Sequence, residues 1–157
     1  MISEITEAWH VNNRINLFLI DNISNEGWLS TLSSPGGRDV ARQFAHLHNV
    51  RVMWLETRPA AFRKTLPPLK KFESTYSPSK HEVKEALSIS ADAMEKLFEA
   101  AVTEGTMPGY KRGVLTLFGY FITHDAHHRG NILLTLKQTG NKVSQEVQYA
   151  IWEWEKI

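Results

Sequence analysis

Apolar residues recur three or four positions apart in four long stretches of this sequence, and proline and glycine separate the stretches. This spacing is typical of amphipathic α-helices and constrains the fold more than any other feature of the chain. No segment between the turn residues has the sustained alternation of a β-strand. The pattern predicts long helices over about Ser3–Ile23, Asp39–Thr57, Ser79–Gly105 and Gly113–Thr139. It therefore predicts an all-α protein, a four-helix bundle with a short additional C-terminal helix that Ser144 caps.

Short signals mark where these helices begin and end. Ser79 and Glu82 have the spacing of a capping box at the start of the third helix. Gly140 fits the C′ position after the fourth helix. The segments Ser33–Gly37 and Met107–Gly109 are expected to form loops or turns. The proline-rich connection between the second and third helices, about twenty residues long, exceeds what a helical hairpin needs, so we expect it to cross the bundle or to cover one end.

Length and charge limit the classes of function. The chain has 157 residues, which suits one domain, and we predict a single bundle domain over residues 1–157. Its 18 Lys and Arg against 17 Asp and Glu leave a net charge of +1, which argues against a nucleic-acid partner bound through a broad basic face. The longest apolar stretches, such as Val114–Ile122, are shorter than the ~20 residues of a membrane-spanning helix, so no membrane partner is expected. Because acidic residues stand where a signal peptide carries positive charge, we expect a cytoplasmic protein.

The chain contains no cysteine but seven histidines. Without cysteine it has no disulfide, no thiolate zinc site, no iron–sulfur cluster and no nucleophilic thiol. Imidazoles and carboxylates must therefore bind any transition metal that the protein holds.

Two of the histidines, His124 and His128, lie one turn apart on the predicted fourth helix. Cβ atoms at this spacing are about 6 Å apart, so both imidazoles can reach one ion at the ~2.0–2.1 Å length of a zinc–nitrogen bond. The pair also falls on the predicted core stripe, whose apolar members are Leu117, Phe121, Ile132 and Leu136. Since a buried polar group without partners costs about 1–3 kcal/mol, either a shared metal ion or hydrogen bonds to other helices must satisfy the pair.

Other histidines are candidates for a third ligand. His127 lies about 100° from His128 around the helix, which places it on the flank of the pair or at a subunit contact. His46 and His48 lie on opposite flanks of the apolar stripe of the second helix, and helical periodicity does not separate them. Three protein ligands would leave a fourth position open, which is typical of catalytic metal sites.

Three further polar residues are predicted to lie outside such a site. Asp125 points away from the histidine pair and is expected to be a surface carboxylate. His10 and His81 are expected to be bystanders. The Glu7-x-x-His10 spacing is that of half a di-iron site, but the sequence has no second copy of it.

The run from His124 to Asn131, HDAHHRGN, resembles the His-x-x-x-His-Arg-Gly-Gln signature of the DinB/YfiT-like family of metal-dependent enzymes, with Asn in place of the final Gln. The second helix resembles the segment of that family in which a histidine precedes an aromatic residue by eight positions, and Trp54 then points to His46. The resemblance covers nearly the whole chain. It implies a four-helix bundle in which His46, His124 and His128 bind a divalent transition metal, zinc or nickel above all. The additional His48 and His127 leave open whether either replaces one of these ligands.

The resemblance also implies a function. Relatives include metal-dependent transferases of low-molecular-weight thiols such as bacillithiol, mycothiol or glutathione, so we expect a small-molecule substrate, with a thiol as one reactant, and a homodimer. No catalytic residue is assigned. A metal-dependent hydrolase uses the same ligands. A non-catalytic, homodimeric module for metal binding or stress response stays a third interpretation. Because the chain has no cysteine, any thiol in the reaction has to arrive as a substrate.

Overall fold

A computed structural model describes residues 2–32, 37–107 and 110–157, and within these ranges it contains seven α-helices and no strand. In chain order the helices are α1 (Ile2–Asp21), α2 (Asn25–Trp28), α3 (Val40–Glu56), α4 (Ala60–Arg63), α5 (Lys80–Glu104), α6 (Val114–Gln138) and α7 (Gln145–Ala150). The all-α class, the four long helices and the short C-terminal helix are confirmed, whereas the single-turn helices α2 and α4 were not predicted. Most of the two predicted turns, residues 33–36 and 108–109, lies outside the described ranges.

The four long helices form a bundle. Each of α1 and α3 packs against both α5 and α6, which places α1 and α3 at opposite corners. No helix in the described parts of the chain is both long and apolar enough to cross a membrane.

The predicted capping signals are present at the helix ends. Ser79 Oγ accepts a hydrogen bond from Glu82 N, and the Glu82 carboxylate accepts one from Ser79 N, which completes the capping box of α5. Gly140, with a φ of 79°, adopts the left-handed conformation expected after α6. Ser144 caps α7 by accepting a hydrogen bond from Val147 N. Local sequence therefore determines where these helices begin and end.

A buried polar layer divides the main apolar core of the bundle into two halves, and a third, smaller cluster contains Val11, Ile15 and Ile151. One half is built around Leu19, Phe44, Leu87 and Leu136. The other half is built around Trp9, Leu55, Phe98 and Phe121. The polar layer consists of Asn12, Asn13, Asn16, Arg51, Ser90, Asp125 and Arg129, all of them buried. On α1, α5 and α6 these residues lie between the two apolar groups, so the layer crosses the bundle near the middle of its length.

The connection between α3 and α5 crosses the bundle along the outside of these helices, from one half of the core to the other. Leu66 and Leu69 pack against one half of the core, and Phe72 packs against the other half. Asn49 on α3 binds the Phe72 backbone twice: its Nδ2 donates to the carbonyl oxygen at 2.9 Å, and its Oδ1 accepts from the amide at 2.9 Å. These two hydrogen bonds hold the connection in place next to a small cavity that His46 also lines.

Candidate metal centre

Helices α3 and α6 bring together three of the seven histidines, here termed the histidine cluster: His46 on α3, and His124 and His128 one turn apart on α6. The ring centroids are 5.3 Å apart for His46 and His124, 4.8 Å for His46 and His128, and 4.6 Å for the pair on α6. One ring nitrogen from each residue lies within 4.8 Å of the other two. That range includes the roughly 3.4 Å expected between three imidazole nitrogens on one tetrahedral zinc ion.

Two ring nitrogens of the histidine cluster are buried without a hydrogen-bond partner in the described parts of the chain. They are the Nδ1 atoms of His124 and His128. Asp125 Oδ1 lies 3.8 Å from His124 Nδ1, which is beyond hydrogen-bond distance. An unsatisfied buried polar atom costs about 1–3 kcal/mol, and hydrogen bonds within the described chain do not remove that cost at these two rings. The residues present therefore fit a metal ion.

Two residues of the histidine cluster, His46 and His128, are held in the neutral form that a metal ligand requires. Burial, reinforced by the positive charge of Arg38 and by His124, lowers the pKa of His46 to about 4. Burial, followed by the neighbouring histidines and Arg38, lowers the pKa of His128 to about 4 as well. Both imidazoles are therefore neutral at neutral pH, as a ligand histidine must be.

His48, the alternative to His46 on α3, is directed away from the histidine cluster. It is 2% exposed, with Nδ1 2.9 Å from the Ala86 carbonyl oxygen and Nε2 3.0 Å from the Lys70 carbonyl oxygen. Both ring nitrogens thus face backbone acceptors, one on α5 and one on the connection. The structure brings His46, and not His48, to the pair on α6.

Two other histidines also lie outside the histidine cluster. His127 is exposed, and its Nε2 lies 3.0 Å from Asn131 Nδ2. His10 Nε2 lies 2.9 Å from Glu95 Oε2, and these residues with Asp92 form a second group whose ligand atoms lie within 4.8 Å of one another. In this second group the imidazole already has a carboxylate partner within the chain.

Asp125 is buried, so the prediction of a surface carboxylate at this position was wrong. The residue is 1% exposed. Its Oδ2 accepts hydrogen bonds from Asn12 Nδ2 at 2.8 Å, from Asn16 Nδ2 at 2.9 Å and from Arg51 Nη2 at 2.9 Å. Helices α1 and α3 supply all three donors, so Asp125 joins α6 to both of its neighbours in the bundle.

The predicted core stripe of α6 is confirmed at its apolar members, Leu117, Phe121, Ile132 and Leu136, and is wrong at His124 and His128. Phe121, Asp125 and Arg129 recur every four residues and are all buried. His124 and His128 are half-buried beside this stripe, on the flank that meets His46. The four-residue spacing from an apolar residue was the sequence signal that could have located Asp125 and Arg129.

Two arginines compensate the buried charge of Asp125. Burial by itself raises the pKa of this carboxyl, but Arg51, His124 and Arg129 together hold it well below its usual range. Arg129 Nη1 donates at 2.8 Å to each of the two asparagines that bind Asp125. The carboxylate is therefore ionised. Its other oxygen, Oδ1, has no hydrogen-bond partner among the described residues and lies towards His124.

Cavities open on both sides of the histidine cluster. The larger, about 710 Å³, borders His128, and a second, about 650 Å³, borders His124. Tyr120 lines the second cavity and stacks near the His124 ring, with the centroids 5.9 Å apart. Small molecules can therefore approach the cluster from two directions.

One family model covers almost the whole chain. It describes the DinB family and matches residues 1–155 of 157, a range that contains the complete histidine cluster. No curated protein gives a significant match.

Proposed function

The chain belongs to the DinB family, and we propose that it is a metal-dependent enzyme in which His46, His124 and His128 bind one divalent transition metal ion. The observation that carries this proposal is the meeting of three half-buried histidines, two of which have a buried ring nitrogen without a partner among the described residues. Three protein ligands leave a coordination position free for a small molecule, as in catalytic metal sites.

Zinc or nickel is the metal that we propose. Neutral imidazoles are good ligands for both ions. The low pKa values of His46 and His128 keep these two ligands free of protons throughout the neutral range. Metal affinity is then expected to withstand mild acidification better than that of histidines with an ordinary pKa.

The reaction that we propose is the transfer of a low-molecular-weight thiol to an electrophilic small molecule. A divalent ion, when bound, lowers the pKa of a coordinated thiol. The chain has no cysteine, so the sulfur nucleophile comes from a substrate. The cavities at His124 and His128 offer room for two small molecules, one on each side of the histidine cluster.

Consumption of a thiol tests this function. Protein loaded with zinc or nickel is expected to speed the loss of glutathione or a related thiol in the presence of a haloalkyl electrophile such as monochlorobimane. The triple variant His46→Ala, His124→Ala, His128→Ala is expected to show only the uncatalysed rate. Metal-dependent ester hydrolysis without thiol transfer would favour a hydrolase that uses the same ligands. Metal binding without either reaction would favour a non-catalytic module.

The homodimer stays a prediction. Tyr149 and Trp152, near the end of the chain, are 64% and 77% exposed and offer apolar surface at this end of the fold. Sedimentation of the purified protein distinguishes a monomer from a dimer.

A further inference from the structure

We propose that Arg38 binds a carboxylate group of the small molecule that enters the larger cavity beside the histidine cluster. This inference rests on the proposed function and names the substrate class of the same site: small molecules that carry an anionic group within reach of the metal-binding histidines.

Arg38 lines two cavities, each of which borders a member of the histidine cluster. It lines the cavity of about 710 Å³ together with His128, and it lines a smaller cavity, about 70 Å³, together with His46. The residue is exposed and directly precedes Asp39, the N-cap of α3. A molecule that occupies the larger cavity can therefore contact the guanidinium group and the histidine cluster at once.

The guanidinium group of Arg38 has no hydrogen bond or ion pair to the described residues. Arg42, one turn further along, is held in place by Asp39 Oδ2 at 3.2 Å and by the Gly37 carbonyl oxygen at 2.7 Å. Ser77 Oγ also donates to Asp39. The Asp39 carboxylate is thus bound by Arg42 and Ser77, and the N–H groups of the Arg38 guanidinium are available to a ligand.

The charge of the site favours an anion. Three neutral imidazoles leave both positive charges of a divalent ion uncompensated. Arg38 adds a further positive charge, whose field contributes to the low pKa of His46 and His128. Glu73 borders the smaller cavity but forms no ion pair with Arg38 within the described ranges. A guanidinium fork matches the two oxygens of a carboxylate, which makes this the expected anionic group.

The proposal is tested by comparing the binding of two thiols, one anionic and one neutral, to the protein loaded with Co²⁺. Binding is measured by the charge-transfer absorption band of a thiolate coordinated to Co²⁺. 3-Mercaptopropionate carries the carboxylate, and its methyl ester is neutral but has the same thiol and chain length. We expect the wild-type protein to bind the acid about tenfold more tightly than the ester, the effect of one hydrogen bond between charged groups.

Two variants of Arg38 and one control variant of Arg63 locate the effect. Arg38→Gln is expected to bind both thiols about equally, and Arg38→Lys is expected to retain part of the preference because the charge remains. Arg63→Gln is the matched control, since Arg63 lies on α4 at a different cavity, and it is expected to retain the full preference. Both arginines are exposed, so neither change is expected to disturb the fold.

The outcomes separate this inference from the proposed function. Equal binding of both thiols by the wild-type protein, or a preference that survives Arg38→Gln, overturns the role of Arg38 and leaves thiol binding intact. If neither thiol binds, the proposed function fails. The role of Arg38 is then tested alone, by titrating propionate into the metal-free protein and following the ¹⁵N NMR resonances. Shifts at Gly37 and Asn131, which line the larger cavity, that vanish in Arg38→Gln support the inference. No shifts in the wild-type protein overturn it.

Discussion

Two groups of polar side chains meet on α6, and they differ in how their polar atoms are satisfied. In the buried polar layer, Asp125 accepts three hydrogen bonds through Oδ2 from residues on α1 and α3. One position earlier, His124 belongs to the histidine cluster, and its buried Nδ1 has no hydrogen-bond partner in the described parts of the chain. Every side chain of the layer forms at least one hydrogen bond within the described chain, whereas His124 and His128 form none there. Burial alone therefore does not separate a structural polar group from a binding group, but the presence of hydrogen bonds to other helices does.

Breaking the polar layer is expected to have the largest effect on the free energy of unfolding. Arg51 is fully buried and donates to Asp125 Oδ2 and to Asn13 Oδ1, each at 2.9 Å. Arg51→Leu leaves the Asp125 carboxylate buried without its main counter-charge, so we expect a loss of about 3–5 kcal/mol in urea denaturation of the metal-free protein.

A substitution in the histidine cluster is the control for that experiment. His46→Gln is expected to change the free energy of unfolding of the metal-free protein by less than about 1 kcal/mol, because it breaks no hydrogen bond within the described chain. Similar losses for Arg51→Leu and His46→Gln would remove the difference between the two groups.

Loss of a ligand from the histidine cluster is expected to act on metal affinity instead. His124→Ala removes one of three ligands and is expected to weaken zinc binding by at least about 100-fold, measured by competition with a chromophoric chelator. His127→Ala, on the exposed face of the same helix, is expected to change the affinity by less than about threefold. An equal loss in both variants would contradict the assignment of His124 to the site and of His127 to the surface.

Local periodicity explains why the long helices could be predicted and why parts of the site could not. The spacing of apolar residues located α1, α3, α5 and α6 because a helix depends on neighbours three and four positions away. Periodicity did not separate His46 from His48, and only the family resemblance favoured His46. What directs His48 elsewhere is the backbone of Ala86 and Lys70, which lie far along the chain. Asp125 differs, because its four-residue spacing from Phe121 indicated burial; only its partners on α1 and α3 are beyond the reach of local periodicity.

The contact between Asp125 and His124 is where the two groups meet. Asp125 Oδ1 and His124 Nδ1 are 3.8 Å apart, and both are buried without another partner among the described residues. A buried carboxylate beside a ligand histidine helps to orient the ring and adds a negative charge near a bound cation. We expect Asp125→Asn to weaken zinc affinity by about tenfold and to shift the ¹⁵N resonances of the His124 ring even in the metal-free protein. Unchanged affinity in a folded variant would mean that the layer and the cluster act independently.

The histidine cluster is also expected to make the stability of the chain depend on pH. The pKa of His46 and of His128 is about 4 in the folded chain, against an ordinary value of 6.5. Between these values the unfolded state binds more protons, so the free energy of unfolding falls as the pH falls from 6.5 towards 4 and levels off below it. The combined substitution His46→Gln, His128→Gln is expected to flatten this part of the curve, measured by urea denaturation of the metal-free protein across that range. The same slope with and without these histidines would rule out their low pKa.

The metal content of the protein after loading and exhaustive dialysis tests the central claim most directly. We expect one zinc or nickel ion per chain in the wild-type protein, and none in His46→Ala. We expect His10→Ala to retain the ion, because the second group on α1 and α5 already pairs its imidazole with Glu95. No bound metal in the wild-type protein, or an ion that is lost with His10 and kept without His46, would contradict the account.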